Sequence, residues 1–205
     1  MRARRVARSK GGHHGPRRKK KLTPFPPSPP SLTSARSKRL LGVKQVDVYA
    51  LGFYADGPAL AARAAAAPSV DDAFLASLAD DAGLPKTVRI VVTTGLMTRD
   101  RFLKSVKESL VPALAKKGAA SSFDAFAALF EGASLAKGSE IVFSNAPDGG
   151  LAVRIEGKDA GAVKDKRFGP ALFGLWLGEG AVSPGAKAAV ADGVRAVRAA
   201  AAPEK

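Results

Sequence analysis

Tyr49 is the residue whose type and setting point most directly to chemistry. It lies in Gln45–Asp56, QVDVYALGFYAD, the stretch holding both tyrosines of the chain, just after a basic cluster of Arg36, Lys38, Arg39 and Lys44. A phenol and a cation brought together beside an apolar wall can hydrogen-bond an oxyanion, such as the head group of an otherwise apolar ligand. The plainer reading is a core strand whose tyrosines pack. The residues alone leave both open. Other chemistries have weaker claims. The carboxylate pairs Asp71/Asp72 and Asp80/Asp81 are adjacent in sequence, so on a helix they diverge and read as caps and solvated charges. The glycines at Gly149-Gly150 and Gly178-Glu179-Gly180 lack the spacing of a phosphate-binding loop.

The only histidines, His13 and His14, fall near the start of the chain, and there is no cysteine. The body therefore has no histidine base, no Ser–His–Asp triad, no thiolate nucleophile and no His- or Cys-based metal site. The formal net charge of +15 first suggests a nucleic-acid partner. Its distribution argues otherwise. Lys and Arg number 14 up to Lys44 and 19 beyond it, while all 18 acids lie at or after Asp47. The body is nearly neutral, so no nucleic-acid partner is expected of it. No run approaches the length of an apolar membrane span, so none is expected.

The elements that must hold Tyr49 can be read from periodicity. In Gln45–Asp56, Tyr49 shares one side with Asp47, Leu51 and Phe53, and bulk also falls on the other side, which predicts a strand covered on both faces. Helices are expected over residues 58–67 and 69–82, the second with acids in its first turn. Val88–Thr94 reads as a strand. In Arg99–Lys117, Phe102, Val106, Leu110, Ala113 and Leu114 form one apolar stripe, with Pro112 expected to kink the helix or limit its last turns. A helix follows from Ser122, placing Phe123, Phe126 and Phe130 inward. Glu140–Asn145 and Leu151–Glu156 form a hairpin, and a turn at Gly157–Asp159 leads to a strand at Ala160–Val163. Lys166–Leu177 and a final helix opened by Ser183-Pro184 complete the chain. This order gives an α+β domain with helices gathered on a largely antiparallel sheet.

Residues 1–35 hold 6 of the 14 prolines and no acid, so they read as a disordered extension before a domain at 36–202. The extension is Arg-rich as transit peptides are, but Arg17–Lys21, RRKKK, equally fits a nuclear-localisation or polyanion patch, or sequence upstream of the true start.

Three strings in order, GVKQVDVYALGFYAD, RIEGKDAGAVKDK and ALFGLWLGEGAVSPGAK, resemble the chalcone isomerase-fold family across most of residues 36–200. The likeness is greatest to its plastid fatty-acid-binding branch. The resemblance implies an open-faced β-sandwich, an antiparallel sheet covered by helices with the ligand between them. The family's strands before its arginine are not evident here, where polyproline-like sequence and SLTSA stand instead. Carried over, the isomerase cleft positions fall on Arg36 for the arginine, Tyr49 for the strand threonine, Phe102 for the helix tyrosine, Ser109 for the asparagine and Gly169 for the Ser/Thr. Phe102 and Gly169 bring no polar group, and Ser109 is too short to replace an amide. Each lost donor aimed at developing charge would cost roughly 2.7–4 kcal/mol, so no isomerase activity is expected.

The resemblance instead implies a non-catalytic carrier of a fatty acid or another apolar carboxylate, with no cofactor. Arg36 and Tyr49 would hold the carboxylate, with Arg39 as the fallback cation. The acyl chain would lie against a cleft lined by Phe102, Val106, Ser109 and Gly169. The alternatives are a chalcone–flavanone isomerase or an auxiliary flavonoid-binding protein of the same fold. The same resemblance implies the chloroplast stroma, with the cytoplasm as the alternative.

Overall fold

A computed structural model of the chain describes residues 32–40, 44–146 and 148–201, with side chains from residue 48 onward. Expectations about residues 1–31 lie outside the described residues. Six strands form one antiparallel sheet whose spatial order is the chain order: β1 (Leu32–Leu40), β2 (Lys44–Ala55), β3 (Lys86–Val92), β4 (Glu140–Asn145), β5 (Leu151–Ile155) and β6 (Lys158–Val163). The sequence boundary at residue 35 falls inside β1. The string LTSARSKRL carries no apolar alternation, and it is extended because its backbone pairs along β2 from Leu32↔Phe53 to Leu40↔Lys44.

Register stacks the apolar residues of one face. Tyr49, Leu51 and Phe53 of β2 stand opposite Val92, Ile90 and Val88 of β3, and Ile90 and Val88 in turn face Ile141 and Phe143 of β4. All of these are buried. The other face is open. Arg89 and Arg154 are exposed there, and Ala50, Tyr54, Val91 and Val142 are only half-buried. Among the described residues, the two-sided cover expected for β2 is thus corrected to one layer of helices. On the outer face the strand shields itself, because the Tyr54 ring folds over Gly52, where a Cβ would come within 2.9 Å of the phenol.

The helices follow their caps. Asp56 accepts from the Ala59 N–H (2.9 Å) to open α1 (Gly57–Ala66), and Asp71 accepts from the Phe74 N–H (2.9 Å) to open α2 (Asp72–Asp80). α2 is therefore shorter than the 69–82 expected; Ser69 instead donates to the capping Asp71 carboxylate at 2.6 Å. Thr98 caps α3 (Arg99–Lys116), whose stripe Phe102, Leu110 and Leu114 is buried as the spacing predicts. Pro112 does not end α3, which continues to Lys116.

α4 (Ser122–Ala128) and α5 (Phe168–Leu177) bring rings onto the sheet: Phe126 and Trp176 meet Phe143 at 5.9 and 6.4 Å. α6 (Pro184–Ala200) packs against α1 and β1. The β5–β6 connection is a two-residue turn at Glu156-Gly157, both at positive φ (52° and 72°), so it closes earlier than the Gly157–Asp159 turn expected.

Candidate functional site

Between the sheet and helices α3 and α5 lies a cleft of about 420 Å³. Tyr49, Ile90 and Phe143 form its sheet side, Phe102 and Val106 its α3 wall, and Leu172 and Trp176 its α5 wall. The volume falls in the range of small-molecule sites, and the lining is mostly apolar with a few polar groups, as such sites require. Leu96, Arg101 and Lys104 stand at its solvent side, and all three are exposed. The Arg101 guanidinium donates to the Leu96 carbonyl at 2.8 Å, fixing a cation beside the mouth.

Tyr49 is the polar group of the sheet side. Only 6% of it is exposed, and the Trp176 indole N–H donates to its phenol oxygen at 3.4 Å. Trp176 is held in turn by stacking on Phe143, with ring planes 24° apart. Behind Phe102 the wall continues into packed rings, Phe102–Phe130 at 5.4 Å and Phe126–Phe130 at 5.1 Å. That packing fixes the α3 wall without filling the cleft.

The sequence candidates distribute as follows. Tyr49, Phe102, Val106 and Ser109 line the cleft together. Arg36 is paired directly with Tyr49 in the β1–β2 register, and a register shift begins immediately after it; Arg39 is paired with Gln45. Directly opposed positions on antiparallel strands are the closest cross-strand neighbours a sheet provides. The Ser109 hydroxyl donates to the Ser105 carbonyl of its own helix at 3.3 Å, so part of its polarity is used within α3.

Gly169 does not line the cleft. It lies buried in the first turn of α5, where a Cβ would meet the Gly150 carbonyl oxygen at 4.0 Å. It shares a helix face with Leu172 and Trp176, but sits a turn before them. Sequence reasoning missed Trp176, Leu172 and the mouth residues Leu96, Arg101 and Lys104. The four-residue spacing of Leu172 and Trp176 was the available signal.

A second polar cluster sits at the other end of β3. Lys86 is 3% exposed; its ammonium donates to the Asp81 carbonyl and lies 5.1 Å from the centroid of the Phe173 ring. Burial pushes its pKa down to about 8, against the opposing pull of Asp81 and Asp80. The Arg63 guanidinium hydrogen-bonds Asp81 and holds that carboxyl below its ordinary range. Asn145 completes the cluster. It accepts from the Lys86 N–H at 2.7 Å and donates to the carbonyls of Leu84 (3.0 Å) and Ala82 (3.1 Å). No buried side-chain polar atom here lacks a hydrogen-bond partner. Among the described residues no group of His, Cys, Asp or Glu could hold a metal ion, and no helix is long and apolar enough to cross a membrane.

Comparison with known proteins agrees with this architecture. A family model described as chalcone isomerase-like matches residues 42–190. Two curated relatives from Arabidopsis thaliana, fatty-acid-binding protein 1 and fatty-acid-binding protein 2, are 29% and 31% identical over 156 and 165 residues. Those alignments cover 70% and 74% of this chain, but only 56% and 41% of the relatives, so the chain spans about half their length. A crystal structure of an Arabidopsis thaliana fatty-acid binding protein superposes with a TM-score of 0.73 at 25% identity, covering 85% of this chain and 94% of that one.

Proposed function

The chain belongs to the chalcone isomerase-like family, and from its cleft we propose that it binds a fatty acid and does not isomerise a chalcone. The observation that carries this reading is a buried phenol, Tyr49, set in a mostly apolar cleft and paired in register with Arg36. In this reading the Arg36 guanidinium and the Tyr49 phenol hydrogen-bond the carboxylate. The acyl chain lies along Phe102, Val106 and Leu172. A carboxylate taken from water without such partners is strongly disfavoured, so the cation is essential to the site. Burial of roughly 0.8 kcal/mol per methylene then makes the chain the main source of affinity.

Both the relatives and the cleft chemistry support binding over catalysis. Phe102 offers no hydroxyl at the cleft wall, and Ser109 directs its own into α3. Neither can orient a water or an enone as the isomerase reaction demands. We further propose the chloroplast stroma as its location, which imaging of a fluorescent fusion in plant cells would test; a cytosolic signal would count against it.

The decisive experiment is mass spectrometry of lipid extracted from the protein purified from a bacterial host, followed by titration of the delipidated protein with fatty acids and with naringenin. Co-purified acyl chains and preferential fatty-acid binding are expected. Preference for naringenin, or chalcone turnover above background, would replace this reading with one of the alternatives.

A further inference from the structure

The cleft has a continuation. On the far side of Ser109, Leu175 and Val182 lies a second groove of about 420 Å³, walled by α2, the C-terminal half of α3 and the other flank of α5. Those three residues line both spaces, so they form the divide between the Tyr49 cleft and the groove. The divide is narrow but anchored: the Val182 N–H donates to the Leu175 carbonyl at 2.8 Å, holding the segment after α5 against the helix.

Helix geometry gives the reach. At 1.5 Å rise per residue, the α3 residues lining the cleft, Arg101 to Ser109, span roughly 12 Å, and Ser109 to Lys117 adds roughly 12 Å along the groove. With C–C bonds of about 1.5 Å at tetrahedral angles, an extended chain advances roughly 1.25 Å per carbon. The cleft alone thus accommodates about ten carbons, and cleft plus groove about nineteen. The bottom of the groove is not packed. A Cβ built on Gly174 meets no heavy atom within 4 Å, although Gly174 lies in the middle of α5.

We propose that the ligand is a long-chain fatty acid of about sixteen to eighteen carbons whose tail leaves the Tyr49 cleft between α3 and α5, passes Leu175 and Val182, and lies in the groove beside Gly174. This rests on the fatty-acid reading above and adds to it a chain-length determinant. Leu175 and Val182 form the gate, and Gly174 leaves the space for the tail. The first ten carbons or so bind in the cleft whatever the state of the groove.

The test is a chain-length series, C8 to C18, titrated below micellar concentrations into the delipidated full chain and into Gly174→Leu and Ala113→Leu. Gly174→Leu fills the groove from α5 and also replaces a mid-helix glycine by a better helix former, so folding is not threatened. Ala113 lines the groove but not the cleft, so Ala113→Leu fills it from α3. In the wild type, affinity is expected to keep rising past C12, by up to roughly fifteen-fold per added pair of methylenes, which is about 0.8 kcal/mol each. In both variants it should level off near C12, leaving C8 and C10 unchanged. A wild-type plateau at C10–C12, or variants that weaken all lengths equally, would overturn the proposal while leaving fatty-acid binding standing. Absence of binding at every length would remove the fatty-acid reading itself, and this inference with it.

Discussion

The two ends of β3 are about 20 Å apart, at 3.3 Å per residue from Lys86 to Val92, and they are built on opposite plans. At the Lys86 end every buried polar group is bonded: ammonium to the Asp81 carbonyl, Asp81 carboxylate to Arg63, backbone N–H to Asn145. Nothing is left for a ligand to do. At the Val92 end the neighbouring strand presents Tyr49 to a cleft of about 420 Å³ whose other walls are mostly apolar. A protein interior is normally close-packed, so unfilled volume beside a buried phenol is a cost that packing would have removed. The contrast assigns stability to one end and binding to the other.

The largest effect expected from this division is at Asn145. Asn145→Ala removes three hydrogen bonds that tie β4 to the α2–β3 connection, at about 1 kcal/mol each. We expect a loss of about 3 kcal/mol in urea unfolding, with the fatty-acid affinity of the folded protein unchanged. A parallel loss of affinity would show that the two ends are not separate. Lys86 sets the next effect. Its pKa is about 8 folded and about 10.5 unfolded, so between those values the unfolded state binds more protons. Stability therefore rises with pH from about 8 toward 10.5, and the cost of the buried charge is present in full below 8. A gain of about 2 kcal/mol between pH 8 and 10 is expected in the urea midpoint series. Lys86→Met should flatten it; a rise that survives this substitution has another source.

The two ends also differ in how far the sequence disclosed them. The α3 stripe and the β4–β5 hairpin follow from local spacing, and local rules were enough to find them. Tyr49 was legible as a phenol on a strand. Its partner was not, because Trp176 lies 127 residues away and only the packing of α5 on the sheet brings them together. Gly169 was placed in the cleft by its family position, which fixes a helix face but not depth along the helix. The Lys86 cluster left no signal at all. A lysine opening a strand reads as solvent-exposed, and its burial depends on Phe173 and Asn145 arriving from elsewhere in the chain. β1 was partly hidden for the same reason, since its extension comes from pairing with β2.

Tyr49→Phe tests the binding end with a smaller perturbation. The ring still fills its place, so the apolar walls are kept, and a stability loss of about 1 kcal/mol is expected. The carboxylate loses one charge-assisted hydrogen bond, and fatty-acid affinity should fall roughly tenfold at every chain length. Dependence on chain length should be untouched, because the substitution acts on the head group alone. If Tyr49→Phe binds as wild type does, the phenol only packs, and the plainer reading of the strand returns.

The gentlest probe needs no substitution. The chain has one tryptophan, Trp176, and it lines the cleft with its N–H on the Tyr49 phenol. Indole emission moves to the blue as water is displaced from around the ring, so an acyl chain entering the cleft should shift it and saturate with the binding isotherm. Phe173, the ring that meets Lys86, lies three residues before Trp176 on α5, yet Lys86 does not line the cleft. Asn145→Ala should therefore leave both the emission maximum and its response to ligand as in the wild type, whereas Tyr49→Phe should alter the maximum before any ligand is added. A ligand-dependent shift that Asn145→Ala abolishes in the folded protein would mean that the closed end of the sheet reports on the open one, and the division between them would have to be given up.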